Sequence, residues 1–103
     1  MVTRESAIER YLVEKVAAAH GVAYKFTSPQ RRNVPDRIVI LPDRAICFVE
    51  CKAVGKGVTQ AQARELTRLH NLGCHVAVVN NVSDVDELIE LIYLRRLNGR
   101  YKC

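Results

Sequence analysis

Residues 37–52 read Arg-Ile-Val-Ile-Leu-Pro-Asp-Arg-Ala-Ile-Cys-Phe-Val-Glu-Cys-Lys, and this stretch decides the fold. Two apolar runs, Arg37 to Leu41 and Ala45 to Lys52, are divided by Pro42-Asp43. β-Branched side chains suit a pleated backbone and Pro-Asp opens tight turns, so the segment is predicted to be a β-hairpin. Strand side chains alternate between faces, which sets Glu50 and Lys52 on one face and Val49 and Cys51 on the other. A carboxylate beside an ammonium in a core strand costs solvation that an apolar pair avoids. The Glu-x-Lys spacing by itself also fits an edge strand whose charges stay in water.

Working outward, apolar positions at Ile8, Leu12, Val13, Val16 and Ala17 give Ser6 to Ala19 a helical period, ended by His20-Gly21. Val22 to Phe26 reads as a short strand, and residues 27–33 (Thr-Ser-Pro-Gln-Arg-Arg-Asn) as a loop. Beyond the hairpin, Gly55-Lys56-Gly57 is a basic turn. Thr59 caps a helix running to about Leu72, with Ala63, Leu66 and Leu69 on its apolar face and Gly73 at its end. His75 to Asn80 is predicted to be a buried strand, and Ser83 to cap a last helix from Asp84 to about Leu94, leaving a C-terminal tail over about 96–103. The order is α-β-β-β-α-β-α. A hairpin followed by a helical crossover and one more strand implies an α/β fold with a mixed sheet flanked by helices.

At 103 residues and 49% hydrophobic content the chain suits one domain with a single core. Sixteen Lys and Arg against eleven Asp and Glu give a net charge of +5, compatible with a polyanionic partner without demanding one. No apolar run is long enough to cross a bilayer, and Arg4-Glu5 stands where a signal peptide would carry its apolar core, so a soluble, intracellular, cytoplasmic protein is expected. Four cysteines then read as reduced thiols, with Cys47 and Cys51 acting as small buried hydrophobes. A zinc site from Cys47, Cys51, Cys74 and His75 is the competing reading, but these residues lack zinc-knuckle spacing.

Pro35-Asp36 begins the first hairpin strand and can bring a second carboxylate near Glu50. Two converging carboxylates favour a hard divalent cation, Mg²⁺ or Mn²⁺, with the Cys51 carbonyl as a neutral ligand between Glu50 and Lys52. Such a centre can activate water and polarise a phosphodiester, with Lys52 stabilising developing charge or helping to deprotonate the water.

These residues, together with Arg31-Arg32-Asn33-Val34-Pro35-Asp36-Arg37-Ile38-Val39, Phe48-Val49-Glu50-Cys51-Lys52, Thr59-Gln60-Ala61-Gln62 and Leu69-His70-Asn71-Leu72-Gly73, resemble the VRR-NUC family of the PD-(D/E)XK nuclease superfamily. The similarity spans about residues 5 to 85 in the family's order. It implies a restriction-endonuclease-like fold and a metal-dependent DNA endonuclease, with Asp36 and Glu50 as metal ligands and Lys52 as the catalytic lysine. The family in turn is similar to archaeal Holliday junction resolvases, which implies a helix-one carboxylate at Glu9, acting directly or through water, with Glu5 and Glu14 as competitors. Gln62 matches the family's glutamine after the catalytic strand. Asn33 stands where the family usually has glycine, and asparagine tolerates left-handed backbone. The family's proline near Gln60 is missing, which touches only a helix start.

Arg31, Arg32 and Arg37 flank the catalytic turn and Lys56 follows it, which makes them candidate contacts to DNA phosphates. The alternative for each is ordinary surface charge. Arg95, Arg96, Arg100 and Lys102 form a second basic cluster to which no site is assigned. Without a base-reading domain, selectivity for DNA shape is expected, branched DNA such as a four-way junction being the leading substrate. The resemblance also implies a homodimer, and a phage-encoded chain acting in a bacterial host. The alternatives are a nuclease of ordinary duplex DNA and a non-catalytic DNA-binding or assembly module.

Overall fold

The computed structural model describes residues 4–43 and 45–97. Its elements are α1 (Glu5–Ala18), β1 (Val22–Lys25), β2 (Arg37–Leu41), β3 (Ala45–Cys51), α2 (Gln60–Asn71), β4 (His75–Val79) and α3 (Val82–Leu97). This is the expected α-β-β-β-α-β-α order. The sheet runs β1-β2-β3-β4: the first three strands are antiparallel, and β4 lies parallel to β3 after the crossover through α2. Arg100 and Lys102, and with them most of the predicted tail, lie outside the described residues, as do the side chains of Arg95 and Arg96.

The hairpin forms where the sequence places it. Arg37 pairs with Val49 and Leu41 with Ala45, and Asp43 in the connecting loop takes a φ of 66°, a conformation that Asp tolerates better than most residues. Odd-numbered residues of β2 and β3 (Val39, Leu41, Ala45, Cys47, Val49 and Cys51) turn to one face and join Ile8, Leu12 and Val16 of α1 and Val85 and Ile92 of α3 in the core. Each fully buried Val, Leu or Ile contributes roughly 1.5–3 kcal/mol, and this stripe fixes the strand register, since a one-residue slip would bury Glu50 among them. Gly21 is required by close approach: a Cβ there would lie 2.4 Å from the Ile40 carbonyl oxygen.

Two expectations are corrected. β4 is not a buried strand along its length: Val78 is 40% exposed and only Val79 is buried, because β4 is an edge strand of the sheet. The last helix begins at Val82, not Asp84, and Ser83 is not its cap. Asn81 Oδ1 accepts from the Asp84 N–H at 2.7 Å, while Asp84 Oδ2 accepts from the Asn80 N–H at 3.1 Å, so an asparagine and an aspartate tie the end of β4 to the start of α3.

Candidate active site

The antiparallel register that pairs Arg37 with Val49 brings Asp36, one residue earlier, alongside the end of β3. Pro35 is buried beneath it, and the Phe26 N–H donates to the Asp36 carbonyl oxygen at 2.9 Å, so its backbone is held from both sides. The Asp36 carboxylate then accepts from the Cys51 N–H at 2.8 Å. Asn33 takes a φ of 65°, so the loop uses the left-handed geometry that glycine would supply.

Glu50 is 2% exposed and points to the sheet face opposite the apolar core, toward α2. Its Oε2 accepts from Gln62 Nε2 at 3.1 Å and lies 3.5 Å from Lys52 Nζ. Burial, and after it the Asp36 charge, raises its pKa to about 7, against the opposing pull of Lys52. Two carboxylates are thus held close with less positive charge than both would need when ionised. Gln62 is itself fixed: its Oε1 accepts from the Thr59 N–H at 3.0 Å and its own N–H donates to Thr59 Oγ1 at 3.1 Å. This capping box starts α2 and leaves the Gln62 amide free to meet Glu50.

The thiol of Cys51 is buried, and burial followed by the charges of Asp36, Glu9 and Glu50 pushes its pKa up to about 12, so it stays protonated. Its N–H is spent on Asp36, which leaves the carbonyl as its one conceivable ligand atom. Among the described residues no group of three or more His, Cys, Asp and Glu side chains converges, so the zinc reading through Cys47, Cys51, Cys74 and His75 has no support, and these three cysteines are free thiols. Asp36 and Glu50 supply hard oxygen donors suited to Mg²⁺ or Mn²⁺, leaving the rest of a coordination shell to carbonyl, water and substrate oxygens.

No family model matches the chain. Over 89 residues it is 47% identical to "Putative nuclease p44" of Acyrthosiphon pisum secondary endosymbiont phage 1, an alignment covering 86% of this chain and 95% of that protein. A solved VRR_NUC domain is 35% identical with a TM-score of 0.77, covering 85% of this chain and 96% of that one. The chain belongs to the VRR-NUC family of nucleases.

In this VRR-NUC chain Asp36, Glu50, Cys51, Lys52 and Gln62 come together at one end of the sheet, while other predicted site residues are engaged elsewhere. Glu9 lies on the α1 side of the sheet, where its Oε2 accepts from Arg37 Nε at 2.7 Å and Lys25 Nζ at 2.8 Å. Burial alone would raise its pKa, but the hydrogen bonds from Lys25 and Arg37 prevail and hold Glu9 below the usual carboxylate range. The charge of Glu9 is felt at Cys51, and that of Glu5, one turn earlier, at Glu50; Glu14 is exposed farther along α1.

The cations divide as well. Arg37 is clamped between Glu9 and the Ala23 carbonyl oxygen, and Arg31 forks onto Glu65 of α2 at 2.8 and 3.2 Å. Arg32 and Lys56 are exposed. Sequence reasoning missed Glu65, which is 6% exposed. Its spacing from Leu66 and Leu69 on the helix was the available signal. It also passed over Arg64 and Arg68, which line a cleft with Arg31 and Arg32.

Proposed function

We propose that this chain is a Mg²⁺- or Mn²⁺-dependent, structure-selective DNA endonuclease that hydrolyses phosphodiester bonds in branched DNA such as four-way junctions. The observation that carries it is the pairing of Asp36, braced on the Cys51 N–H, with a buried Glu50 whose pKa is raised by that neighbouring carboxylate. A structural strand end gains nothing from two crowded carboxylates. A cation site does, because ionising both groups becomes favourable once the charge is met.

Asp36, Glu50 and the Cys51 carbonyl would hold the ion. The chemistry that a divalent cation supplies when bound is Lewis-acid polarisation of the scissile phosphate and a lowered pKa for the attacking water. The chain's own side chains do the remainder. Gln62 donates to Glu50 and keeps that carboxylate aimed, since its own position is set by the start of α2. Lys52, 3.5 Å from Glu50, offers its ammonium to the charge that develops on the phosphate oxygens. Buried Val49 and Cys51 behind the site anchor the strand end so that the polar groups need not reorganise during the reaction. A homodimer with two such centres suits a substrate whose two strands must both be cut, which favours a branched junction over a single nick.

The test is cleavage of labelled four-way-junction and linear duplex DNA by wild-type protein and Glu50→Ala, each in Mg²⁺, Mn²⁺ or EDTA. Metal-dependent cutting of the junction in preference to the duplex, lost in Glu50→Ala, is the expected result. Equal cutting of both substrates would remove the shape selectivity and retain the chemistry. Metal-independent binding without cutting would make the chain a DNA-binding module instead.

A further inference from the structure

Beside the candidate active site, the loop at 30–33 and the outward stripe of α2 enclose a polar cleft of about 490 Å³, lined by Gln30, Arg32, Asn33, Ala61, Arg64 and Arg68 around the Arg31–Glu65 pair. Glu65 is the only acid in the lining and is satisfied by the Arg31 fork. Arg32, Arg64 and Arg68 make no ion pair with any described residue, so the cleft holds three uncompensated positive charges. Arg64 and Arg68 are also four residues apart on one helix face, a like-charge spacing that opposes helix formation. Arg68 gains from the helix C-terminus, but Arg64 in mid-helix has no such return. An arrangement that folding disfavours and no internal acid relieves fits an external polyanion.

We propose that this cleft is a second, non-catalytic phosphate site, in which Arg32, Arg64 and Arg68 bind a backbone phosphodiester of the DNA flanking the cut. The proposal rests on the endonuclease reading and adds residues and a location to it. Guanidinium groups suit phosphate because their planar N–H forks match two of its oxygens. The Arg31–Glu65 pair gives the cleft a fixed relation to the carboxylates. It ties α2, which carries Gln62, to the loop that leads into Pro35-Asp36, so a phosphate held there is in register with Asp36 and Glu50. Arg31 is accordingly a positioning residue of the cleft.

The test is DNA binding, measured by fluorescence anisotropy with a labelled duplex and a four-way junction in EDTA, where no cutting interferes. Wild type is compared with Arg64→Ala/Arg68→Ala and with Arg10→Ala/Lys15→Ala, which removes the same charge from α1. A urea titration shows that each variant folds. Expected is a loss of about tenfold or more in affinity for the α2 variant, a slope of log K against log salt smaller by about two, and little change in the α1 variant. Inorganic phosphate at constant ionic strength should compete only weakly, because it lacks the rest of the strand; competition as effective as that of unlabelled duplex would make this a general anion site and overturn the DNA assignment. Unchanged affinity and slope in the α2 variant, or an equal loss in both variants, overturns the proposal while leaving the endonuclease reading standing. If wild type binds no DNA and cuts none, the endonuclease reading falls and the proposal with it.

Discussion

Glu50 at the end of β3 and Glu65 on α2 are the two buried carboxylates among the described residues, at 2% and 6% exposure, and both sit against α2. Glu65 receives a guanidinium fork from Arg31, the geometry that best repays the desolvation of a carboxylate. Glu50 receives one amide N–H, a lysine at 3.5 Å and, close by, a second carboxylate. One glutamate is completed within the protein and the other is left short of positive charge. The difference separates an acid that holds a loop to a helix from an acid kept ready for a cation, and burial alone would not have told them apart.

The sharpest way to break this comparison is to neutralise each acid in turn. Glu50→Gln should lower metal-dependent cleavage by roughly a thousandfold or more, since it removes a ligand and the charge that holds the ion. It should also raise the urea midpoint of the metal-free protein at pH 8, because the buried charge is gone. Glu65→Gln should do the reverse, keeping cleavage within about tenfold and lowering the midpoint through loss of the Arg31 fork. If both substitutions shift the midpoint in the same direction, the two acids are not distinct in kind.

A smaller effect comes from pH. The folded-state pKa of Glu50, about 7, lies above its model value of 4.5, so between those values the folded protein holds a proton that the unfolded chain has lost. The stability contribution is fully present below about pH 4.5 and disappears as pH rises through about 7. With allowance for solvent screening it amounts to about 1–3 kcal/mol. Urea titrations of metal-free wild type and Glu50→Gln across this range should diverge at high pH, wild type being the weaker; parallel curves would contradict the burial of an ionisable group there.

Smaller still is the capping box. Thr59→Ala removes the acceptor for the Gln62 N–H and should cost about 1 kcal/mol of stability. Because the same Gln62 reaches Glu50, it should also reduce cleavage by a few fold. A loss of stability with no effect on rate would separate the cap from the site.

The hairpin and the catalytic cluster were legible in the sequence because period-2 burial, Pro-Asp turn chemistry and residue spacing act locally. Asp36, Glu50, Lys52 and Gln62 meet for that reason. What the sequence hid was partnership across the fold. Arg31 and Arg37 read as substrate contacts from their place beside Asp36, but Glu65 lies 34 residues from Arg31 and Glu9 lies 28 from Arg37, so neither pairing has a local signature. β4 read as buried because its residues are apolar, yet whether a strand is central or at an edge depends on the whole sheet. The start of α3 was misplaced because Asn81 and Ser83 are both competent caps, and only the backbone shows that Asn81 Oδ1 is the atom that accepts from Asp84.

Thermal unfolding with and without Mn²⁺ in wild type, Glu50→Ala and Glu65→Gln tests the distinction between the two glutamates most directly, since a ion bound by the folded state alone raises the melting temperature. Mn²⁺ is expected to raise the Tm of wild type and Glu65→Gln and to leave Glu50→Ala unmoved. An equal rise in Glu50→Ala, or no rise in wild type, would contradict the assignment of Glu50 as the carboxylate kept for a cation.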